Sequence, residues 1–317
     1  TRNKLIEKEN KLKEKIENHA QRCKEYGPLM SVMAQRGVAA VPADIFKMLD
    51  LTNDDDQNGG GRLLTSSGSS GSVSRIHASR ADLFWQIRAL GELFSDRLSM
   101  EKSFKFDIGF FPNLDTPSVY SASNAGIKGF TQFCKKLDCY QNLLTPSYFT
   151  YPLHILIFGF TYEVFQLARN IESYQFGEKL AQGSRVTVVH GGGWKKLVDL
   201  AVDANTFDGV VREALGFGFP CEIIEYYGMV EQIGSVYFKC ENGKFHNTRY
   251  SEARVLDHYL SEVGFGEVGL IHTSSLLPDG YPGSSVLTSD IGMRGIRECG
   301  CGSSDFGFSV VGRIKNI

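Results

Sequence analysis

The chain has 317 residues, which allows two domains or one large α/β domain. Hydrophobic residues make up 42% of it, and 22 Phe and 13 Tyr would make the core unusually aromatic. A net charge of −2 gives no electrostatic case for nucleic acid or an anionic membrane surface, yet it leaves room for a local basic pocket around a phosphate.

The first residues, "TRNKLIEKENKLKEK", lack the apolar stretch of a signal peptide. No apolar run approaches the ~20 residues that cross a bilayer. The longest, 151–160, contains His154. Seven Cys, an odd number in a chain this large, argue against a secreted disulfide scaffold. The expected location is the cytoplasm. The chain opens on Thr rather than Met, which reads as a fragment or a processed form.

In chain order, residues 3–24 predict a Lys/Glu-rich helix with an apolar stripe at Leu5, Leu12, Ile16 and Cys23, and favourable Glu7–Lys11 and Glu9–Lys13 pairs. Gly27-Pro28 is expected to end it. "VPADIFKML" reads as a turn entering a short helix, with Asp44 near its start. Residues 52–62 read as an exposed loop. Their adjacent acids, Asp54 to Asp56, lack the alternation of a calcium loop. A helix follows Asp82. Strands are predicted at 104–112, 153–160, 185–190, 221–228, 267–275 and 307–313, with helices at 163–171 and from about Trp194. Alternating strands and helices predict an α/β sheet.

"LLTSSGSSGSVS" (63–74) is either a flexible linker or a loop shaped to hold something. Gly68 and Gly71 permit close backbone approach, and Ser66, Ser67, Ser69 and Ser70 offer hydroxyls, a composition suited to a polyphosphate. It is neither a Walker A loop nor a nucleophile elbow. "HGGGWKK" (190–196) has strand-then-helix context, so Gly191, Gly192 and Gly193 read as a tight turn or a place where a ligand lies against backbone. "GFGEVG" (264–269) has the dinucleotide spacing but precedes a strand, and reads as a turn. "YYGMVEQ" places Tyr227, Gly228 and the carboxylate of Glu231 just past a strand. Asp290 reads as a residue of a polar turn, or as an acceptor for ribose hydroxyls. Cys240, His246, Cys299 and Cys301 could together supply four zinc ligands, although their spacing matches no standard signature and ordinary thiols are the alternative.

These pieces, in this order, resemble the adenylate-forming superfamily, most closely its LuxE-like acyl-protein synthetase branch. The resemblance runs from about Val41 to the end. It implies an α/β fold, the large N-terminal-type domain of these enzymes, over 51–317, with 1–50 as a helical lead-in. The small C-terminal lid with its catalytic Lys would be absent or truncated. It further implies activation of a carboxylic acid, such as a fatty acid, by ATP and Mg²⁺ to an acyl-adenylate, then transfer to a protein thiol. A CoA ligase resembling phenylacetate–CoA ligases and a catalytically degenerate nucleotide-binding module are the alternatives. Carried over residue by residue, 66–71 would be the phosphate loop and Gly191–Gly193 the turn beside the adenine. Tyr227, Gly228 and Glu231 would be the Tyr-Gly-x-x-Glu element with Glu231 on Mg²⁺. Asp290 would bind the ribose, and Arg313 of Gly312-Arg313 would contact the nucleotide. Two departures are visible: Ser74-Arg75 stands where the phosphate loop commonly has Lys, and Val230 where a hydroxyl residue often precedes the Glu.

Overall fold

The computed structural model describes all residues except 1, 36–38, 54–60, 67–71, 102, 113–121, 144–148, 172–175, 195–198, 217, 296–298, 304, 306 and 315–317. In chain order the elements are α1 (Arg2–Arg22), α2 (Tyr26–Ala34), β1 (Val41–Pro42), α3 (Ile45–Met48), β2 (Arg62–Thr65), β3 (Arg75–Ala78), α4 (Arg80–Arg97), β4 (Phe106–Phe111), α5 (Ala122–Thr131), β5 (Cys134–Cys139), α6 (Tyr140–Leu143), β6 (His154–Phe160), α7 (Thr161–Ile171), β7 (Arg185–Gly191), α8 (Ala204–Val211), β8 (Cys221–Gly228), β9 (Val236–Phe238), β10 (Ser251–Leu256), β11 (Val268–Ser275), β12 (Ser285–Arg294) and β13 (Phe308–Arg313). They divide into two compact units. One holds residues 1–93 and 228–317 with 120–122, the other 94–119 and 123–227. The 1–50 and 51–317 boundaries read from the sequence thus follow a different line from this division.

The second unit is built on parallel strands in the order β5-β4-β6-β7-β8. A parallel strand covered on both faces needs a nearly continuous apolar run. "HILIFGF" supplies it: Ile155, Leu156 and Ile157 are fully buried. α7 follows at once and turns Val164, Phe165, Leu167, Ala168 and Ile171 inward, at the spacing of one helical face. Aromatic residues fill the rest. Phe130 stacks on Phe158 at 4.4 Å and meets Phe94 edge-on at 5.1 Å, and Phe158 stacks on Tyr226 at 6.0 Å.

The first unit carries a mostly antiparallel sheet in the order β1-β12-β11-β10, with β13 also paired to β12. α1 is tied to the same unit by Lys8–Glu252 (3.1 Å) and Lys15–Asp279 (2.9 Å); its His19 is buried, as is Cys23 just past its end. β2 and β3 form a separate hairpin.

Two expectations need correction. Gly27-Pro28 does not end a helix: α1 stops at Arg22, and Pro28 lies in the first turn of α2, where a missing N–H costs nothing. The helix expected from about Trp194 falls on residues 195–198, outside the described residues; α8 further on starts at Ala204, where Asp203 caps it by accepting from Thr206 N at 3.0 Å. Asp290 sits inside the ten-residue strand β12, not in a turn, because β11 and β13 pair with that strand on either side. Residues 62–65 and 75–78 pair as antiparallel strands, while 67–71 of the Ser/Gly-rich segment lie outside the described residues. Among the described residues no helix is long and apolar enough to cross a membrane.

Candidate functional site

The Ser/Gly-rich segment lies in sequence between β2 and β3, which pair antiparallel with each other. Leu64 of β2 and Ile76 of β3 are buried, so the strands on either side of it are anchored in packed structure. Ser66 and Ser74 close the base: Ser66 N donates to Ser74 O (3.2 Å), and Ser74 N donates to the Ser66 hydroxyl (2.9 Å). Ser67, Gly68, Ser69, Ser70 and Gly71 lie outside the described residues. What the described base does show is its destination. The buried Ser74 hydroxyl donates to the carboxylate of Glu231, 157 positions further along the chain.

Glu231 lies in the short 3₁₀ turn Val230–Gln232 that follows β8, and only 9% of it is exposed. Burial pushes its acidity toward the neutral form. The Ser74 hydroxyl and the positive charges of Arg313 and Lys47 pull the other way. The turn is held from one side by the segment before β12. Tyr281 accepts the Ile233 N–H on its hydroxyl at 2.8 Å, and Gln232 Nε2 donates to Gly283 O at 2.9 Å. A Cβ on Gly283 would come within 2.6 Å of the Glu231 carbonyl, so only glycine permits this approach.

Asp290 and Arg313 face each other across the β12–β13 ladder, with Nε to Oδ1 at 3.3 Å. Arg313 is 65% exposed, so the ion pair is screened and the guanidinium faces solvent. One residue before Asp290, the Ser289 hydroxyl donates to Asp44 at 3.1 Å. Asp44 also pairs with Lys47 at 2.7 Å, and these two partners hold its carboxyl below the usual range. Ser74, Glu231, Asp290 and Arg313 therefore gather with Lys47 and Asp44 into one polar cluster. Lys47 escaped the sequence reading. Its signal was present in "VPADIFKML", but nothing local shows that α3 comes against β12. That follows from β1 pairing parallel with β12. Arg75, by contrast, is engaged by Asp50 at 2.6 Å.

Gly191, Gly192 and Gly193 close β7 in the second unit. Gly191 needs its missing side chain for packing, since a Cβ there would meet the Tyr226 carbonyl at 2.6 Å. Gly192 and Gly193 adopt left-handed φ of 71° and 62°, and a Cβ on Gly193 would face open space. Tyr227 and Gly228 end β8, and a Cβ on Gly228 would come within 3.0 Å of the Ser235 carbonyl. Elsewhere in the first unit the ligand atoms of Cys240, His246, Cys299 and Cys301 all lie within 4.8 Å of one another.

The acyl-protein synthetase LuxE family matches the chain over residues 143–317, more than half its length. The chain belongs to this family. The family match takes in Glu231, Asp290, Arg313 and the glycine turn, but not the hairpin. The long-chain-fatty-acid–luciferin-component ligase of Aliivibrio fischeri is 30% identical over 118 residues, which are 37% of this chain and 31% of that relative. In structure, 2-hydroxyisobutyryl-CoA ligase in the postadenylation state with R3-HIB-AMP matches with a TM-score of 0.65 at 14% identity. That match covers 96% of this chain and 66% of the ligase. ATP-bound MatB from Rhodopseudomonas palustris matches with a TM-score of 0.50 at 14% identity, over 79% of this chain and 47% of that one. The LuxE-family chain thus has the α/β fold of the adenylate-forming ligases and spans less than two thirds of the length of these relatives.

Proposed function

We propose that the chain activates a carboxylic acid with ATP. A substrate carboxylate oxygen attacks the α-phosphorus, the bond to the β-phosphate oxygen breaks, and acyl-adenylate and pyrophosphate form. The observation that carries this reading is the Ser74–Glu231 hydrogen bond. It joins the base of a serine/glycine hairpin to a buried carboxylate that also feels Arg313 and Lys47. Family membership supports acyl activation, and the name of the Aliivibrio fischeri relative supports a long-chain fatty acid as substrate.

The difficulty of this reaction is charge, because an anion must approach a phosphate already ringed by negative oxygens. Positioning and neutralisation matter more than acid–base chemistry. Arg313 and Lys47 supply fixed positive charge. Asp290 accepts ribose hydroxyls, and its pairing with Arg313 keeps carboxylate and guanidinium in register. Residues 66–71 take the β- and γ-phosphates. For Gly191–Gly193, Tyr227 and Gly228, a role beside the adenine rests on the family resemblance alone. The donor set at Glu231, a buried carboxylate beside a serine hydroxyl, is oxygen-only and suits Mg²⁺. When bound there, Mg²⁺ would neutralise charge between phosphate oxygens.

In this reading the acyl group passes to a protein thiol. Carboxylate-dependent ATP–pyrophosphate exchange, run with fatty, aryl and amino acids, tests the first half-reaction. Exchange is expected with a fatty acid, and Glu231→Gln should reduce it at least ~100-fold, the size typical for loss of one transition-state charge partner. Nucleotide binding without exchange would point to a binding module instead. A CoA thioester as product would replace the protein thiol by coenzyme A.

A further inference from the structure

We propose that Cys240, His246, Cys299 and Cys301 bind one zinc ion as a closed structural clasp, and that this clasp fixes the start of β13. The inference stands apart from the ligase reading above, because it rests on a different set of residues.

The distances carry it. Cys240 Sγ lies 3.6 Å from Cys299 Sγ, far beyond the ~2.05 Å of a disulfide. His246 Nε2 lies 3.2 Å from Cys299 Sγ and 3.3 Å from Cys301 Sγ. Ligands of a tetrahedral zinc, with Zn–S of ~2.3 Å and Zn–N of ~2.0 Å, stand roughly 3.5–3.8 Å apart. Three of the six separations thus lie close to those of a tetrahedral zinc, and all six are within 4.8 Å. Thiols are weak donors and acceptors, so without an ion the imidazole nitrogen would have only poor partners.

The backbone is shaped for the same end. Cys240 opens a tight turn, with Gly243 N donating to Cys240 O at 2.9 Å and Cys240 N to Lys244 O at 2.8 Å. Cys299 and Cys301 flank Gly300, and Gly302 follows. Both glycines hold left-handed φ, 76° and 83°, which lets the chain reverse while its two thiols face one centre. Asn242 Nδ2 donates to Cys299 O at 2.5 Å and ties the two turns together.

The surroundings of the histidine complete the case. Asp305 bonds His246 Nδ1, and its carboxylate also accepts from the Ser303 hydroxyl at 2.7 Å and from Asn247 N. An Nδ1–H donated to Asp305 leaves Nε2 unprotonated and aimed at the sulfurs, the arrangement of a carboxylate-oriented metal ligand. A Cβ on Gly307 would lie 2.9 Å from His246 Cε1, so glycine is what lets the ring sit there. Three sulfurs and one nitrogen select zinc over Mg²⁺ or Ca²⁺, and four protein ligands leave no open position, so the ion is structural.

The clasp closes directly onto β13. Phe245 and Phe308 exchange both backbone hydrogen bonds at 2.8 Å, immediately beside His246 and Gly307. Five residues further on is Arg313, opposite Asp290.

The test uses the whole chain, expressed with zinc and kept reduced. Elemental analysis should find about one zinc per chain. Cobalt exchanged into the protein should give the strong visible bands of a tetrahedral site with thiolate charge transfer. Cys299→Ser should lose the metal, whereas Cys221→Ser should keep it. Should Cys299→Ser fail to fold, Asp305→Asn carries the test: it should release zinc to a chelator about 10–100-fold more readily. Removing zinc should raise hydrogen exchange in residues 240–247 and 308–313. No zinc in the reduced protein, a Cys240–Cys299 disulfide in the mass spectrum, or full zinc retention in Cys299→Ser would overturn the site. Unchanged exchange at 308–313 would overturn the clasp.

Discussion

The carboxylate of Asp82 accepts three backbone N–H groups: Ser79 at 2.8 Å, Asp279 at 2.7 Å and Gly280 at 3.1 Å. Ser79 returns the favour, its hydroxyl accepting from Asp82 N at 3.1 Å, which makes a capping box at the start of α4. Burial raises the carboxyl's pKa, and the three donors oppose that rise. The same side chain thus starts a helix and pins the loop before β12. Asp82→Ala strands three N–H groups and should cost about 3 kcal/mol. Asp82→Asn, which keeps an acceptor oxygen, should cost clearly less. Urea unfolding of the two variants measures the difference, and equal losses would assign the effect to side-chain volume instead.

Among the elements, the glycine turn after β7 separates two roles that the sequence left joined. Gly191 is a packing glycine. Its added methyl would meet the Tyr226 carbonyl and ring at 2.6–2.7 Å, between paired strands that cannot easily part. Gly191→Ala should therefore destabilise by about 1–3 kcal/mol through overpacking. Gly193→Ala faces open space and bears only the cost of a left-handed φ, about 1–2 kcal/mol, with no shift of the sheet. Thermal unfolding compares the two. Nuclear magnetic resonance shifts of β8 amides should move for Gly191→Ala alone. Legibility at this scale followed burial. β6 and β7 were evident from their apolar runs, because parallel strands buried on both faces must be nearly apolar throughout. β12 was misread at Asp290, since "TSDIG" is polar and local chemistry favours a turn there. Pairing with β11 and β13 overrides that preference.

At the scale of the whole molecule, the sheet of the first unit carries a pH response. His272 on β11 sits opposite Arg254 of β10 and bonds the Ser285 hydroxyl of β12 at 2.9 Å. Burial, with a smaller push from the Arg254 charge, lowers its pKa to about 4. An unfolded chain protonates this ring near 6.5. Between those values the unfolded state binds more protons, so stability is present above about 6.5 and drains away as pH falls toward 4. His19, also lowered by burial, acts in the same direction. The urea midpoint should fall over this window, and His272→Gln should flatten the fall by its share. A parent and variant with parallel profiles would exclude His272 as the cause.

Residue types and their order were enough to predict an α/β sheet and to single out the candidate carboxylates Glu231 and Asp290 and the four metal-type ligands. These depend on apolar runs, glycine positions and side-chain chemistry, all of which are local. Only tertiary structure decided that Ser74 meets Glu231, that Lys47 joins them, and that Cys240 and His246 lie beside Cys299 and Cys301. Such meetings span tens to more than a hundred and fifty positions, and they are set by which strands pair. Strand pairing is a contest among long-range contacts that no short window of sequence records.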